Sequence, residues 1–198
     1  MTQALDALTA QLLNAAKAAG ADSADAMATR GTSVSVDVRA GALEEAQREE
    51  GADIGLRVFV GKRTAIVSAS DLSQRTMTEM AERAVAMALE APENPYAGLA
   101  DPDEIASDWD AAALELFDPT PEPAPEALQQ DAAEAEAAAR AVDGTSQIDA
   151  ASAGYSAYDV HMAGSNGFSG GYRRSSRGLS CVAIAGSGTQ MERDYDSD

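Results

Sequence analysis

The sequence predicts an α+β fold, in which an antiparallel or mixed β-sheet of hairpins packs against about three amphipathic helices. Three observations support this prediction. Apolar and polar residues alternate over Ser33–Arg39 and over Asp53–Val60, which is the period of a strand with one buried face. Asn166-Gly167 separates two β-prone segments and is a strong signal for a hairpin turn. Three further segments repeat their apolar residues at helical spacing.

Residues 1–91 are predicted to form a first unit of hairpins and helices. It begins with a helix that carries a leucine and alanine stripe and ends at Gly20, a residue type favoured after helix C-termini. Residues 42–50 have helical propensity, but glycines flank them in a run of hairpins, so we predict an exposed strand. Gly61-Lys62 then reverses the chain into a short strand over residues 64–70.

A second helix follows this hairpin. Asp71 or Ser73 is its predicted N-cap, and Gln74 follows Asp71 at the spacing of a capping box. Small side chains in the preceding strand let a helix approach closely, so the hairpin and this helix are predicted to form the scaffold. The apolar face of the helix comprises Met77, Met80, Ala81, Ala84, Met87, Ala88 and Ala91.

Residues 92–125 are predicted to be a connector that wraps the surface. All seven prolines of the chain lie between Pro92 and Pro125, a distribution typical of extended, partly polyproline-like chain. Trp109 and the apolar residues near it are predicted to hold the connector on that surface.

Residues 126–198 are predicted to complete the same domain with a helix and further hairpins. The helix covers about residues 126–142. Strands flank Asn166-Gly167, and two more are predicted over Leu179–Ala185 and Gln190–Asp198. The inner face of the helix is predicted to comprise Leu128, Ala132, Ala135, Ala139 and Val142.

The charge of the chain excludes some classes of function. Thirty-three acidic residues against fourteen basic ones give a net charge of −19. A field of this sign repels nucleic acid backbones and anionic membranes, so we expect no direct contact with either. Cys181 is the single cysteine, and the N-terminus lacks the basic start of a signal peptide, which favours a cytoplasmic location.

No catalytic or metal site is predicted within this chain. A zinc site needs three or four ligands, and His161 is the only histidine. A Ser-His-Asp triad would need the same histidine, and the nucleophile-elbow pattern GxSxG does not occur. The glycine-rich stretch Gly164–Gly171 lacks the lysine of a phosphate-binding loop and is better explained as a hairpin tip.

Several segments occur in one order that resembles a known family: GADIGLRVFVGKRTAIVSASDLS, PYAGLADP, LELFDP and GSNGFSGGYRRSSRGLSCVAIAGSGTQMERDY. The resemblance is to the N-terminal part of the TldD/PmbA family, also called modulators of DNA gyrase. The SNG turn, the Leu-Ser-Cys strand and the Met-Glu-Arg-Asp-Tyr ending are closer to the PmbA (TldE) branch. The resemblance covers the chain from about Gly31 onward.

The resemblance implies a subunit of a cytoplasmic zinc metalloprotease. In that family a C-terminal domain holds the metal; the TldD partner carries an HExxxH motif there, and the PmbA partner generally lacks the full ligand set. Such complexes act on unfolded peptides, including peptide-antibiotic precursors and antitoxins. No HExxxH occurs in this sequence, so no catalytic or metal residue is carried over, and zinc is expected on the partner or on the missing domain. The resemblance implies a TldD-like partner, or a second copy of the chain, and a chain that ends where the second domain would begin.

One substrate-contacting region is predicted. The hairpin tip Asn166, Gly167 and Phe168, or an unpaired strand edge, is expected to enclose a substrate path and pair with an extended peptide. The alternative is that these strands only build the sheet and a dimer surface. At the level of function, the alternative is a stand-alone peptide-binding or regulatory protein without hydrolytic activity.

Overall fold

A computed structural model describes residues 4–106 and 110–198, and it confirms the α+β prediction. The described residues form one six-stranded antiparallel sheet with strand order β3-β2-β1-β4-β5-β6 and three α-helices. Trp109, predicted to hold the connector in place, lies outside the described residues. The elements are α1 Leu5–Ala19, β1 Ser23–Arg39, β2 Ala42–Val60, β3 Arg63–Ala69, α2 Gln74–Glu90, α3 Pro125–Arg140, β4 Thr145–Gly164, β5 Ser169–Ala185 and β6 Glu192–Ser197.

The strands are longer than the sequence pattern predicts. β1 begins at Ser23, although clear alternation begins only at Ser33. β2 is a single strand that includes the predicted exposed strand, and Gly51 does not interrupt it. β5 likewise continues into the predicted strand that begins at Leu179. Glycine weakens a strand but does not end one, because hydrogen bonds to the neighbouring strands hold the backbone extended.

The chain divides into two compact units. Unit 1 comprises the described residues within 1–31, 51–116 and 158–174. Unit 2 comprises residues 32–50, 117–157 and 175–198. β1, β2, β4 and β5 each contribute residues to both units.

In unit 1, α1 and α2 pack together, and α2 also contacts β3. Leu8 and Leu12 of α1 are fully buried, as the stripe predicts, and Gly20 ends the helix with a φ of 99°. The strands bury alternate residues against the helices, and many of these are alanines, which lets helix and sheet approach closely. The buried strand residues are Ala24, Ala26, Ala28, Ile54, Leu56, Val58, Ala65 and Val67.

The N-cap of α2 is Ser73, and the capping box predicted from Asp71 and Gln74 does not form. The Ser73 hydroxyl oxygen accepts a hydrogen bond from the Thr76 backbone N–H at 3.2 Å. Asp71 lies two positions before the N-cap and instead accepts hydrogen bonds from the Thr76 hydroxyl and from the Ser73 N–H. These bonds lower the pKa of Asp71. The serine takes the cap because the helix begins at Gln74.

In unit 2, α3 packs on strand residues that the alternation pattern identifies. The core comprises Val34, Val36, Val38, Leu128, Ala132 and Ala153. The predicted inner face of α3 is partly wrong. Glu136 is buried at its C-terminal end, whereas Val142 follows the helix and is exposed. A carboxylate occupies this position because the neighbouring turn offers it hydrogen-bond donors.

Candidate functional site

The hairpin tip predicted from Asn166-Gly167 forms between β4 and β5. The Gly164 N–H donates to the Phe168 carbonyl at 2.9 Å, and the Gly167 N–H donates to the Gly164 carbonyl at 3.1 Å. The Asn166 side-chain oxygen accepts from the Phe168 N–H at 3.3 Å. Gly167 has a φ of 100°, a left-handed conformation that glycine adopts without steric cost.

Backbone and side-chain hydrogen bonds attach this tip to the rest of unit 1. Ser165 and Ala24 exchange two hydrogen bonds: the Ser165 N–H donates to the Ala24 carbonyl at 2.8 Å, and the Ala24 N–H donates to the Ser165 hydroxyl oxygen at 3.0 Å. The Asn166 side-chain N–H donates to the Ala100 carbonyl at 3.0 Å. The tip is therefore joined both to the start of β1 and to the segment that follows α2.

An open cleft of ≈ 680 Å³ lies beside the tip, between the C-terminal half of α1 and the segment at residues 99–102. Of the three predicted site residues, Asn166 lines this cleft, and Gly167 and Phe168 do not. Both polar and apolar groups line the cleft. This lining suits a peptide, which has a polar backbone and side chains of both kinds. Its lining comprises Leu13, Asn14, Lys17, Ala21, Asp22, Ser23, Ala24, Leu99, Ala100, Asp101, Pro102, Ser165 and Asn166.

His161 forms a hydrogen bond that links β4 to α1. Its Nδ1 lies 2.9 Å from the hydroxyl oxygen of Thr9, which is fully buried on α1. The Thr9 hydroxyl also donates to the Asp6 carbonyl at 2.9 Å. The Thr9 hydroxyl has one proton and donates it to Asp6. In the bond between Thr9 and His161, the imidazole Nδ1–H is therefore the donor. The histidine thus fastens β4 to α1.

The free edge of β6 is a poor site for strand addition. In the part of the chain that the structure describes, β6 pairs with β5 alone. Leu179 and Asp198 exchange two backbone hydrogen bonds, so the amides of Tyr195 and Ser197 point away from β5. Each of these outward amides already donates, at 2.9 Å, to the carboxylate of the aspartate before it. A pairing peptide would have to displace both carboxylates.

A buried carboxylate in unit 2 was not predicted. Glu136 is 2% exposed, and its oxygens accept from the backbone N–H groups of Ala40 at 2.8 Å and Gly41 at 2.7 Å. The Arg140 guanidinium donates to it at 2.5 Å. Burial by itself raises the pKa of Glu136, but the Gly41 N–H, the Arg140 guanidinium and the Ala40 N–H outweigh burial and lower it. This carboxylate caps the β1–β2 turn.

The sequence contains a signal that would have located Glu136. Residues 128, 132 and 136 follow one another at helical spacing, so a carboxylate continues the inner face of α3. A carboxylate on an inner face requires donors, and a tight turn such as Ala40-Gly41 provides backbone N–H groups. The partner turn lies far away in sequence, and for this reason the sequence pattern alone did not connect the two.

Comparisons with known proteins identify the family. A model described as PmbA/TldA metallopeptidase domain 1 matches residues 24–88, and one described as PmbA/TldA metallopeptidase central domain matches residues 118–198. The chain belongs to the TldD/PmbA family. The family prediction made from the sequence is thereby confirmed.

Relatives agree with this assignment, and a solved structure has a similar fold. The chain is 31% identical over 175 residues to metalloprotease PmbA of Escherichia coli O157:H7, and 30% identical over 178 residues to a PmbA homolog of Haemophilus influenzae. Each match covers 88% of this chain and 38% of the relative. The fold is similar to that of TldE from Thermococcus kodakarensis, with a TM-score of 0.70 and 17% identity over 96% of this chain and 42% of that one.

The described residues do not fit a zinc site of the kind that the TldD/PmbA resemblance implies. Across residues 4–106 and 110–198, no group of three His, Cys, Asp or Glu side chains is placed to hold a metal ion. His161 is hydrogen bonded to Thr9, and burial raises the pKa of Cys181, which disfavours the thiolate that binds zinc. Within the same ranges, no helix is long and apolar enough to cross a bilayer.

Proposed function

We propose that this chain forms the N-terminal, non-catalytic part of a PmbA/TldE-type subunit that cooperates with a TldD-like partner in the hydrolysis of unfolded peptides in the cytoplasm. The observation that carries the proposal is the pair of consecutive family-domain matches over residues 24–88 and 118–198. The absence of an HExxxH motif from the sequence supports the non-catalytic role. Zinc then belongs to the partner, or to a domain outside this sequence.

The cleft beside the Asn166 hairpin tip supports a role in holding peptide. It is open, it lies on a tip that hydrogen bonds fix in place, and its lining mixes polar and apolar groups. The β6 edge is less suitable because two of its outward amides, those of Tyr195 and Ser197, are already hydrogen bonded. We therefore assign peptide contact to the tip and its cleft rather than to the β6 edge.

The proposal is tested by mixing the purified chain with a purified TldD-type subunit. Association is measured by light scattering on a sizing column, cleavage with an unfolded peptide, and zinc by elemental analysis of each component. We expect association, cleavage that depends on the partner, and zinc on the partner alone. Zinc bound in equal amount to this chain, or no association with the partner, would contradict the proposal.

A variant pair separates peptide contact from general stability. Lys17→Gln changes the cleft wall, whereas Arg83→Gln removes the same charge from α2 outside the cleft. A role for the cleft predicts weaker peptide binding for the first variant and no change for the second. Peptide binding by this chain without any partner, and without cleavage in the mixture, would instead support the stand-alone binding protein.

A further inference from the structure

Two hairpin turns hold the segment Asn94–Ala100, which we call the strap. At the β2–β3 turn, the Asn94 N–H donates to the Lys62 carbonyl at 2.8 Å, and the Lys62 ammonium donates to the Ala97 carbonyl at 3.0 Å. At the β4–β5 turn, the Asn166 side chain donates to the Ala100 carbonyl at 3.0 Å. The strap is thus attached at both of its ends.

Few other contacts hold the strap. Ala97 is buried, but most strap residues are exposed, and the Tyr96 side chain is 94% exposed. Segments with little buried apolar surface open at a lower free-energy cost than the whole domain unfolds. The strap is therefore suited to local opening while the core of unit 1 stays folded.

The two side chains that fasten the strap, Lys62 and Asn166, both donate to backbone carbonyls. Every residue of any peptide offers such a carbonyl, so these donors do not select a sequence. The strap end also forms part of the cleft wall through Leu99 and Ala100. Opening of the strap would therefore widen the cleft and release two donors for a peptide backbone at the same time.

We propose that the strap is an internal competitor of the peptide. In the closed state it occupies the Lys62 and Asn166 donors; in the open state an extended peptide takes its place on them. This inference rests on the proposed function, since it takes an unfolded peptide as the ligand. Recognition by backbone carbonyls explains how such a site accepts many sequences.

The fastening is tested first without peptide, by amide hydrogen exchange on the full chain. Asn166→Asp removes the donor to Ala100 but keeps an oxygen for the Phe168 N–H. Lys62→Met removes the ammonium that donates to Ala97 but keeps the aliphatic part of the side chain. Each variant is expected to speed exchange across the strap by about fivefold, the effect of losing one net hydrogen bond. Lys17→Met is the control, because Lys17 lines the cleft without bonding the strap. If the exchange rate is unchanged in both variants, or rises equally throughout unit 1, Lys62 and Asn166 do not hold the strap specifically.

The competition is tested with Ala97→Glu, which expels the strap from its buried seat and leaves both donors intact. Tyr96→Glu adds the same charge at an exposed position and serves as the control. The probe is an unstructured Ser/Ala peptide, blocked at both ends and fluorescently labelled, and binding is read by anisotropy. We expect severalfold tighter binding for Ala97→Glu alone. Adding Asn166→Asp to Ala97→Glu should then weaken binding, because with the strap expelled the Asn166 donor serves only the peptide.

The outcomes distinguish this inference from the proposed function. If Ala97→Glu binds the probe no more tightly than the unchanged chain, while the unchanged chain still supports cleavage with its partner, the competitor role is wrong and the proposed function stands. If the unchanged chain neither binds the probe nor supports cleavage, both are wrong.

Discussion

The buried carboxylate of Glu136 offers the sharpest test of how unit 2 is held together. It accepts two backbone N–H groups from the β1–β2 turn and one N–H from the Arg140 guanidinium. Ala40 and Gly41 both have positive φ values, 53° and 75°, so the turn is strained at the alanine. The carboxylate stabilises a turn that its own sequence favours only weakly.

The variant Glu136→Gln keeps the size of the side chain but places an amide NH₂ where one carboxylate oxygen was. One of the two turn N–H groups then faces a donor and loses its partner. Hydrogen bonds to charged groups contribute roughly 1.5–3 kcal/mol each, so we expect the free energy of unfolding to fall by about 2 kcal/mol. Urea unfolding followed by circular dichroism at neutral pH measures this difference.

The pH dependence provides an independent check. The folded pKa of Glu136 is lowered, so its contribution is fully present above the unfolded value of about 4.3 and is lost as the pH falls through the folded pKa. The stability difference between the unchanged chain and Glu136→Gln should therefore shrink in acid. Glu134→Gln is the control, since Glu134 is exposed on the same helix. A difference as small as that of the control, or one that persists unchanged below the folded pKa, would refute this reasoning.

Substitutions at three further positions probe stability through the shift in melting temperature. Ala40→Gly should stabilise the chain by about 1 kcal/mol, because glycine removes the strain of the positive φ; a lower melting temperature would contradict this. Ser73→Ala should destabilise it by about 1 kcal/mol through loss of the cap on Thr76 N–H, and Ser73→Thr should restore most of that loss. Leu12→Ala should lower the free energy of unfolding by about 3 kcal/mol, because Leu12 is fully buried in the unit 1 core. A loss smaller than that of Ser73→Ala would show that α1 packs loosely.

The hairpin of the candidate site was predicted, and its attachments to the rest of unit 1 were not. The Asn166-Gly167 turn followed from local chemistry, since a left-handed glycine after asparagine favours a hairpin in any surroundings. The attachment of Asn166 to Ala100 was not predicted, because its acceptor is a backbone carbonyl in an irregular segment. Every residue offers such a carbonyl, so no residue type marks it in the sequence. The environment of His161 was also not predicted in detail, as it depends on Thr9, which lies at the other end of the chain.

The sequence by itself determined the α+β class, the alternating buried residues of the strands, the helix end at Gly20 and the family. These depend on short-range periodicity, on backbone conformations that few residue types adopt, and on ordered motifs. Only the tertiary structure decided the length of the strands, the turn that Glu136 bonds and the attachment of the strap. Each of these depends on hydrogen bonds between residues distant in the chain, and such a bond forms only when the fold brings a donor and an acceptor together.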